Sequence, residues 1–268
     1  MKPSSYLVLL LCPCLGGSAE LPQPRHNFIV IAHRGNHAHA HENTLTALQH
    51  AIDAGSDYAE IDIRRTLDGH HVLMHDRNVE RMTDGHGQVN QLTLAQIRKL
   101  SVRDTRRPQI PADRVPTFEE VLTLIKARIN IYLDFKDGDR AAVARAIRDA
   151  GVTSQILVYD GIGSVPEWHR VAPELPLIVS PPDNLRKPAE FVAFAQKDHI
   201  EVLDDSWQTY SRETVTALNR AGVKVWPDIQ NDHEDDAYFN RVLAIGVNGV
   251  QTDHPETLIA WLKQHQLR

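Results

Sequence analysis

Glu60 and Asp62 stand two residues apart at the end of a β-type segment at 58–63. Side chains with this spacing point to the same face of a strand. Two carboxylates held side by side repel each other unless a cation or a proton lies between them. Because hard cations prefer carboxylate oxygens as ligands, the pair predicts a site for Mg²⁺ or Ca²⁺. Ion pairs with Arg64, Arg65 or Lys136 are the structural alternative, and the spacing alone leaves both interpretations open.

Asp134 and Lys136 repeat this spacing at the end of another β-type segment, at 130–135. Asp134 would complete the cation site, and Lys136 would hold a phosphate oxygen as a point charge. Taken alone, this second pair is more typical of a local ion pair at a strand end.

Two histidines stand at the ends of further β-type segments. His33 follows the segment at 28–32, and His75 follows the segment at 71–74. Imidazole titrates near neutral pH, so two such side chains beside a cation site predict an acid–base pair. Arg34 adds a planar guanidinium group, which can bind a phosphate through two hydrogen bonds. A single histidine is more often structural, but a pair beside paired carboxylates favours catalysis.

These side chains need a scaffold that brings several strand ends together. Short β-type segments alternate with amphipathic helical segments along the chain. The strands that fit this alternation are predicted at 28–32, 58–63, 130–135, 155–159, 177–180, 201–203, 223–226 and 249–252. Eight such units favour an α/β fold of one domain, a closed (β/α)₈ TIM barrel, over an open doubly wound sheet. An irregular stretch at 77–115 predicts a small insertion after the second β/α unit.

The N-terminal residues are typical of a secretory signal peptide. Residues 1–19 contain a short apolar run, followed by small residues at a potential cleavage site before Glu20. The barrel domain would then occupy residues 20–268, and the protein would be exported to the periplasm or the exterior. Cys12 and Cys14 both lie in this leader, so the exported chain would contain no disulfide.

The overall charge restricts the class of partner. The full chain of 268 residues has a formal net charge of −6 at pH 7. This balance argues against a nucleic-acid surface and against electrostatic docking on anionic lipid. No segment after the leader is long and apolar enough to span a bilayer. We therefore expect a small-molecule substrate, no nucleic-acid partner and no stable membrane insertion, with the oligomeric state left open.

Short motifs along almost the whole chain resemble the glycerophosphodiester phosphodiesterase family, whose fold is a (β/α)₈ barrel. The motifs, in chain order, are His33-Arg34-Gly35, Glu42-Asn43-Thr44, Glu60-x-Asp62, Asp68-Gly69, Val72-Leu73-Met74-His75-Asp76, Arg81-Met82-Thr83, Pro116-Thr117-Phe118, Asp134-x-Lys136 and Gly249-Val250-Gln251-Thr252-Asp253-His254-Pro255. The first five motifs occur with the family's spacing and are the most specific part of the resemblance.

The resemblance implies roles for individual residues and a reaction. By resemblance, the catalytic acid–base pair is His33 and His75, the ligands of one divalent cation (Mg²⁺ or Ca²⁺) are Glu60, Asp62 and Asp134, the phosphate contacts are Arg34 and Lys136, and Glu42 lies beside them. The implied reaction hydrolyses a glycerophosphodiester to sn-glycerol 3-phosphate and an alcohol. The substrate's own glycerol hydroxyl attacks phosphorus while one histidine takes its proton. The other histidine protonates the leaving alcohol, and a cyclic phosphate is then hydrolysed.

The sequence departs from the family pattern at three places. Asp134 stands where the family often has glutamate, so its reach to the cation is shorter. His41 stands where proline usually precedes Glu42. After Trp226 the family usually continues Thr-x-Asn, whereas this chain has Pro-Asp-Ile-Gln-Asn at 227–231, which predicts a remodelled loop. Trp226 is a candidate wall for the glycerol or head group of the substrate, and a packed core tryptophan is the alternative.

His37, His39 and His41 alternate in the first loop and could recruit a transition metal, but composition favours an exposed polar loop at the rim. Other functions are also compatible with a barrel. A lysophospholipase D or phospholipase C-like activity would act on lipid phosphodiesters. A glycosidase would use two carboxylates at strand ends, such as Asp160 and Asp228, but would leave the paired histidines unexplained. A non-catalytic phosphate-binding barrel would require the loss of a catalytic group, and none of those named above is missing.

Overall fold

The structure, a computed structural model, describes residues 19–231 and 234–268. The predicted leader therefore lies outside the described residues except for Ala19, and so do Asp232 and His233. No helix in the described part of the chain has the length and apolar character needed to cross a membrane.

Strands and helices alternate through the described residues. The strands are β1 (Ile29–Ala32), β2 (Tyr58–Arg65), β3 (His71–Leu73), β4 (Ser101–Val102), β5 (Asp113–Arg114), β6 (Asn130–Phe135), β7 (Ile156–Tyr159), β8 (Leu177–Val179), β9 (Val202–Leu203), β10 (Lys224–Val225) and β11 (Gly249–Thr252). The α-helices are α1 (Leu45–Ala54), α2 (Leu94–Ile97), α3 (Phe118–Ile125), α4 (Arg140–Ala150), α5 (Val165–Val171), α6 (Pro188–Lys197), α7 (Arg212–Arg220), α8 (Asp236–Ala244) and α9 (Pro255–Gln264).

Several helices begin at residues whose side chains can accept a hydrogen bond from the first turn. The side chains of Thr44 and Asp139 cap α1 and α4 in this way. Thr117 and Glu120 form a reciprocal capping box at the start of α3. These caps fix where each helix leaves its preceding loop, and so fix the loops at the strand ends.

Eight parallel strands among the described residues form a nearly closed barrel, in the order β10, β9, β8, β7, β6, β2, β1, β11. The segment after β10 bridges the remaining gap. Gln251 donates its backbone N–H to the carbonyl of Pro227 at 3.0 Å, and Ile229 donates to the carbonyl of Gln251 at 2.9 Å. The predicted (β/α)₈ barrel is thus confirmed, and the unusual 227–231 loop closes it.

Alternation along each strand separates the barrel interior from the helix-facing side. Ile29 and Ile31 belong to the interior apolar cluster, whereas Val30 and Ala32 pack with the helices. Tyr58 also lies in this interior cluster, and its hydroxyl donates to the carbonyl of Pro22 at 2.6 Å. The segment before β1, which contains Pro22, therefore covers the N-terminal end of the barrel. The polar strand ends lie at the opposite end.

The predicted insertion lies inside the second β/α unit, between β2 and α3, rather than after that unit. It contains β3, which pairs antiparallel with β2, the short helix α2, and the two-stranded β4–β5 sheet. It has an apolar cluster of its own, which includes Met74, Met82 and Val102. Because β3 extends the sheet of β2, the insertion carries His75 to the rim of the barrel instead of forming a separate domain.

Candidate active site

A polar cavity of about 380 Å³ lies at the C-terminal ends of the barrel strands. Its lining residues are His33, Arg34, Glu60, Asp62, His75, Tyr132, Asp134, Lys136, Tyr159, Ser180, Asp204, Asp205, Asp228, Gln230 and Gln251. All of these side chains are polar or charged. The cavity contains both predicted histidines, all three predicted carboxylates and both predicted phosphate-binding cations.

Strand register brings the three carboxylates together. Glu60 and Asp62 continue the inward-facing side of β2, and Asp62 pairs directly with Asp134 of β6. Adjacent strands lie about 4.8 Å apart, so side chains at paired positions on one face are close neighbours. One carboxylate oxygen from each residue lies within 4.8 Å of the others. Glu60 is only 3% exposed and Asp62 only 1%, so water screens the repulsion between their charges only weakly.

This crowding changes the electrostatics of the cluster. Burial, with the charges of Asp62 and Asp134, raises the pKa of Glu60 well above its usual range. Burial likewise raises the pKa of Asp134 to about 6, although the charge of Lys136 opposes the rise. Burial would lower the pKa of Lys136, but Asp62 and Asp134 outweigh it and raise that pKa. Two buried carboxylates and a partly buried one, with like charges held close together, fit a hard divalent cation.

Neighbouring groups hold these carboxylates in place. Asn43 donates its side-chain N–H to Asp62 Oδ2 at 2.7 Å and accepts the backbone N–H of Asp62 at 3.0 Å. Arg34 donates its backbone N–H to Glu60 Oε2 at 2.7 Å. Arg34 and Asn43 both adopt a left-handed backbone, with φ of 52° and 55°. Such conformations are uncommon outside glycine and cluster at functional sites, where the surrounding contacts enforce them.

Arg34 belongs to an ionic network at one side of the cavity. Its Nη1 donates to Glu42 at 2.9 Å, and its Nε lies 3.5 Å from Asp62. Glu42 also accepts two hydrogen bonds from Arg81, at 2.7 and 2.9 Å. Burial would raise the pKa of Glu42, but Arg81 and Arg34 outweigh it and lower that pKa to about 2. Glu42 therefore orients the guanidinium of Arg34 through this hydrogen bond, and does not itself line the cavity.

The Nδ1 atom of each predicted histidine contacts the carboxylate of an aspartate. His33 Nδ1 and Asp253 Oδ1 are 2.7 Å apart, and His75 Nδ1 and Asp76 Oδ1 are also 2.7 Å apart. A carboxylate on Nδ1 favours the tautomer that carries its proton there, which leaves Nε2 free to accept a proton. Burial lowers the pKa of His75, although the charge of Asp62 opposes the shift. Both imidazoles therefore line the same cavity, and each has its Nδ1 occupied by an aspartate and its Nε2 available for proton transfer.

The comparisons with known proteins agree with this geometry. The model of the glycerophosphoryl diester phosphodiesterase family matches residues 33–257 of the chain. The chain belongs to this family. A glycerophosphodiester phosphodiesterase of Caldanaerobacter subterraneus subsp. tengcongensis is 30% identical to it over 239 residues, which cover 86% of this chain and 96% of that protein.

Two solved structures show the shared fold of the family. The crystal structure of the glycerophosphodiester phosphodiesterase from Agrobacterium tumefaciens has a TM-score of 0.77 at 23% identity and covers 87% of this chain and 99% of that chain. A phosphodiesterase of Oleispira antarctica was solved in complex with the product sn-glycerol-3-phosphate. It has a TM-score of 0.73 at 21% identity, covering 88% of this chain and 96% of that one. At these identities the likeness supports the barrel fold of the phosphodiesterase.

Trp226 is placed differently from its predicted position at a substrate wall. It is 1% exposed, packs against Tyr58 with ring centroids 5.3 Å apart, and belongs to the interior apolar cluster. A Cβ on Gly249 would lie only 2.8 Å from the Trp226 ring, so the indole fills space that this glycine leaves. The structure therefore shows the alternative, a packed core tryptophan.

The first loop of the phosphodiesterase also differs from its prediction. His39 is exposed, as expected, but His37 is half-buried and His41 is only 2% exposed. The carbonyl of His41 accepts a hydrogen bond from the Thr44 hydroxyl at 2.7 Å, so the backbone of His41 is tied to the residue that caps α1. His37 Nε2 lies 3.0 Å from Asp253 Oδ1. The prediction of an exposed polar loop is therefore wrong for two of the three histidines.

Sequence reasoning gave no role to several groups that the fold brings to the site. Asn43, Asp76 and Asp253 all lie inside the family motifs quoted above. Their place in those motifs was the one sequence feature that could have identified them as site residues. Their partners became visible only in three dimensions, since Asp253 and His33 are 220 residues apart. The glycosidase pair is not assembled, because Asp228 lines the cavity whereas Asp160 does not. Asp160 instead accepts hydrogen bonds from Arg140 and Trp168, at 2.9 Å each.

Proposed function

We propose that this phosphodiesterase hydrolyses glycerophosphodiesters to sn-glycerol 3-phosphate and an alcohol, with His33 and His75 as acid and base and one divalent cation, Mg²⁺ or Ca²⁺. The observation that carries the proposal is a single polar cavity in which two aspartate-backed histidines face a cluster of three carboxylates. The product found in the Oleispira antarctica relative is sn-glycerol-3-phosphate, which supports the same substrate class here.

Glu60, Asp62 and Asp134 would hold the cation, which would neutralise negative charge developing on the phosphoryl oxygens. Arg34 and Lys136 would add two positive charges from the protein at the same cavity. Lys136 Nζ lies 2.5 Å from Asp134 and 3.1 Å from Asp62, so it stands at the edge of the carboxylate cluster. In this position Lys136 can turn toward a phosphate oxygen without leaving the cavity.

Proton transfer falls to the two histidines. Burial lowers the pKa of His75, so its ring is largely neutral near pH 7 and can take the proton of the attacking glycerol hydroxyl. His33, whose Nδ1 lies 2.7 Å from Asp253 Oδ1, would then protonate the leaving alcohol. A cyclic phosphate and the free alcohol result, and water opens the cyclic phosphate with the two histidines in reversed roles. An attacking group within the substrate itself brings a high effective concentration.

The lining of the cavity supports a hydrophilic substrate over a lipid. All of its side chains are polar or charged, with the tyrosine rings of Tyr132 and Tyr159 as the largest carbon surfaces. The large apolar side chains that are exposed among the described residues are Leu67, Ile162 and Leu267. None of the three lines the cavity, so an acyl chain would find no apolar wall there. We therefore expect glycerophosphocholine or a related diester to be hydrolysed faster than a lysolipid.

The direct test is to incubate the purified protein with glycerophosphocholine and Mg²⁺ or Ca²⁺ and to measure release of sn-glycerol 3-phosphate. Activity should disappear on chelation and fall by at least about 10²-fold in His33→Gln and His75→Gln. The exposed His39→Gln serves as the matched control and should retain activity. Full activity after chelation, or in either catalytic variant, would overturn the proposal.

The cyclic intermediate has a test of its own. An analogue that lacks the glycerol hydroxyl next to the phosphate cannot form the ring, so it should remain intact under conditions in which the natural diester is consumed. Hydrolysis of this analogue at the normal rate would show that water, not the substrate hydroxyl, is the nucleophile.

We also propose that residues 1–19 direct export and are then removed. The motif before Glu20 supports this proposal. Mass spectrometry of the protein recovered from outside the cytoplasm should give a chain that begins at Glu20. Recovery of the intact chain from the cytoplasm alone would contradict it.

A further inference from the structure

We propose that His33, His37 and Asp253 form a second metal site, which binds a transition cation such as Zn²⁺ and switches the enzyme off. This site is separate from the carboxylate cluster formed by Glu60, Asp62 and Asp134. Its inhibitory effect rests on the role proposed above for His33, whereas its ability to bind metal does not.

The donor atoms already lie together. One nitrogen from each ring and one oxygen of Asp253 lie within 4.8 Å of one another. His33 Nδ1 is 2.7 Å and His37 Nε2 is 3.0 Å from the same oxygen, Asp253 Oδ1. The two rings meet edge to face, with centroids 6.4 Å apart, so both nitrogens converge on the carboxylate from different directions. A cation could replace the shared hydrogen bonds without a rearrangement of the backbone.

The loop that carries His37 is anchored. Asn36 is 1% exposed and donates its side-chain N–H to Glu256 of α9 at 2.8 Å. The Asn36 side chain also accepts the backbone N–H of Ala38 at 3.3 Å. Asp253 follows directly from β11, which pairs with β1 next to His33. His37 is therefore held between two fixed points beside a strand end, unlike a histidine in a free loop.

The donor set differs in chemistry from the carboxylate cluster. Two imidazoles and one carboxylate are ligands typical of Zn²⁺ and neighbouring transition metals, and three protein ligands leave a fourth position for water. The carboxylate cluster offers oxygen atoms alone, which suit Mg²⁺ and Ca²⁺. The side chains of His33, His37 and Asp253 are 20–30% exposed, so a hydrated cation can reach them from solvent.

Metal binding at this site would remove His33 from catalysis. The metal takes the lone pair of Nδ1, the proton that Nδ1 shared with Asp253 is released to solvent, and Nε2 keeps its own proton. A coordinated ring with a proton on Nε2 has no lone pair that can accept a proton, and it is a much weaker acid than imidazolium, so it no longer serves as the acid or the base of the reaction. Asp253 becomes a metal ligand at the same time and no longer orients the ring for catalysis.

The variant that tests the site is His37→Gln. A glutamine amide N–H can still donate to Asp253, but an amide is a poor zinc ligand, so the substitution removes one metal ligand without removing that hydrogen bond. His39→Gln in the same loop is the matched control, because His39 is exposed and has no contact with Asp253 among the described residues. Both variants should keep basal activity within about twofold when Mg²⁺ or Ca²⁺ is in excess.

The first measurement is binding. Co²⁺ replaces Zn²⁺ and gives an intense visible absorption when it is bound by nitrogen ligands in a tetrahedral site. With Mg²⁺ in excess, the wild-type protein and His39→Gln should each bind one Co²⁺ with this spectrum. His37→Gln should require at least about tenfold more Co²⁺. Equal binding by all three proteins, or the absence of the tetrahedral band from the wild type, would overturn the proposed site.

The second measurement is inhibition. Zn²⁺ added to the Mg²⁺- or Ca²⁺-loaded enzyme should inhibit the wild type and His39→Gln at the same concentration, and His37→Gln only at a concentration at least about tenfold higher. If Zn²⁺ inhibits His37→Gln as strongly as wild type, it acts by displacing the cation of the carboxylate cluster, and the switch is refuted. If Co²⁺ binds as expected while Zn²⁺ leaves the activity unchanged, the inhibitory role is refuted and the site is retained.

Discussion

Asp253→Asn removes the negative charge that faces the imidazole of His33, the proposed catalytic acid, while preserving the size of the side chain. In the structure Asp253 Oδ1 lies 2.7 Å from His33 Nδ1, within the range of a charge-assisted hydrogen bond. Burial would raise the pKa of Asp253, but its hydrogen bonds with His33 and His37 outweigh it and hold that pKa well below its usual range. Asp253 is therefore ionised near neutral pH.

The size of the effect follows from this contact. A hydrogen bond to a charged group contributes about 1.5–3 kcal/mol, which corresponds to a factor of about 10–150 in rate. Where the equivalent aspartate is fully buried, as in serine-protease triads, the asparagine variant loses about 10⁴-fold. Asp253 is 30% exposed, so water partly replaces its charge and we expect the smaller loss.

The assay measures kcat and KM for glycerophosphocholine with saturating Mg²⁺ or Ca²⁺. Because Asp253 acts through His33 and has no proposed contact with the substrate, the loss should fall on kcat, with KM within about threefold. Asp253→Glu restores the carboxylate and should recover part of kcat. Thermal unfolding of each variant verifies that the protein is folded.

Two results would refute this reasoning. One is an asparagine variant whose kcat lies within about twofold of the wild type. The other is a loss that appears entirely in KM, since that would assign Asp253 to substrate binding and not to the orientation of His33.

Three further predictions concern stability and metal binding. Gly35→Ala should destabilise the fold by about 2–4 kcal/mol in chemical denaturation, because the new Cβ would lie 2.8 Å from the backbone of α1 at a positive φ. Gly55→Ala has a similar φ but open space, and should cost only about 1 kcal/mol; equal losses would exclude the clash. Burial raises the pKa of Glu234 to about 7, so its contribution to stability is complete below its unfolded pKa near 4.5 and is lost as the pH rises through 7. Glu234→Gln should therefore gain about 2–3 kcal/mol over the wild type between pH 5 and 8 in urea titrations, and a constant difference would contradict the assignment. Asn43→Ala removes two hydrogen bonds to Asp62 and should weaken Mg²⁺ or Ca²⁺ binding by about 10–100-fold in calorimetry; unchanged affinity would exclude a supporting role.

Much of the barrel could be predicted from local patterns. The strands at 130–135 and 249–252 have the predicted bounds in the structure. Within the irregular stretch at 77–115, the α-helix α2 spans a single turn, Leu94–Ile97. This part of the insertion is fixed by packing in its own small core, which overrides the local helical pattern.

The last strands were predicted less well for a related reason. The strand expected at 223–226 is reduced to Lys224–Val225, and the loop that follows it closes the barrel through Asp228. Whether a short segment forms a strand or a bridge depends on the position of its neighbours in the closed barrel. Local sequence contains no information on that position, and the family pattern fails where the loop is unusual.

The sequence by itself determined the family, the alternation of strands and helices, and the identity of the groups with chemical potential. Period-two spacing was enough to put Glu60 and Asp62 on one face, since that relation is a property of a single strand. Tertiary structure decided which groups meet across strands. Asp62 faces Asp134 because β2 and β6 are in register, and His33 meets Asp253 because β1 pairs with β11. Pairing of the first and last barrel strands places Asp253, which follows β11, beside His33, which follows β1.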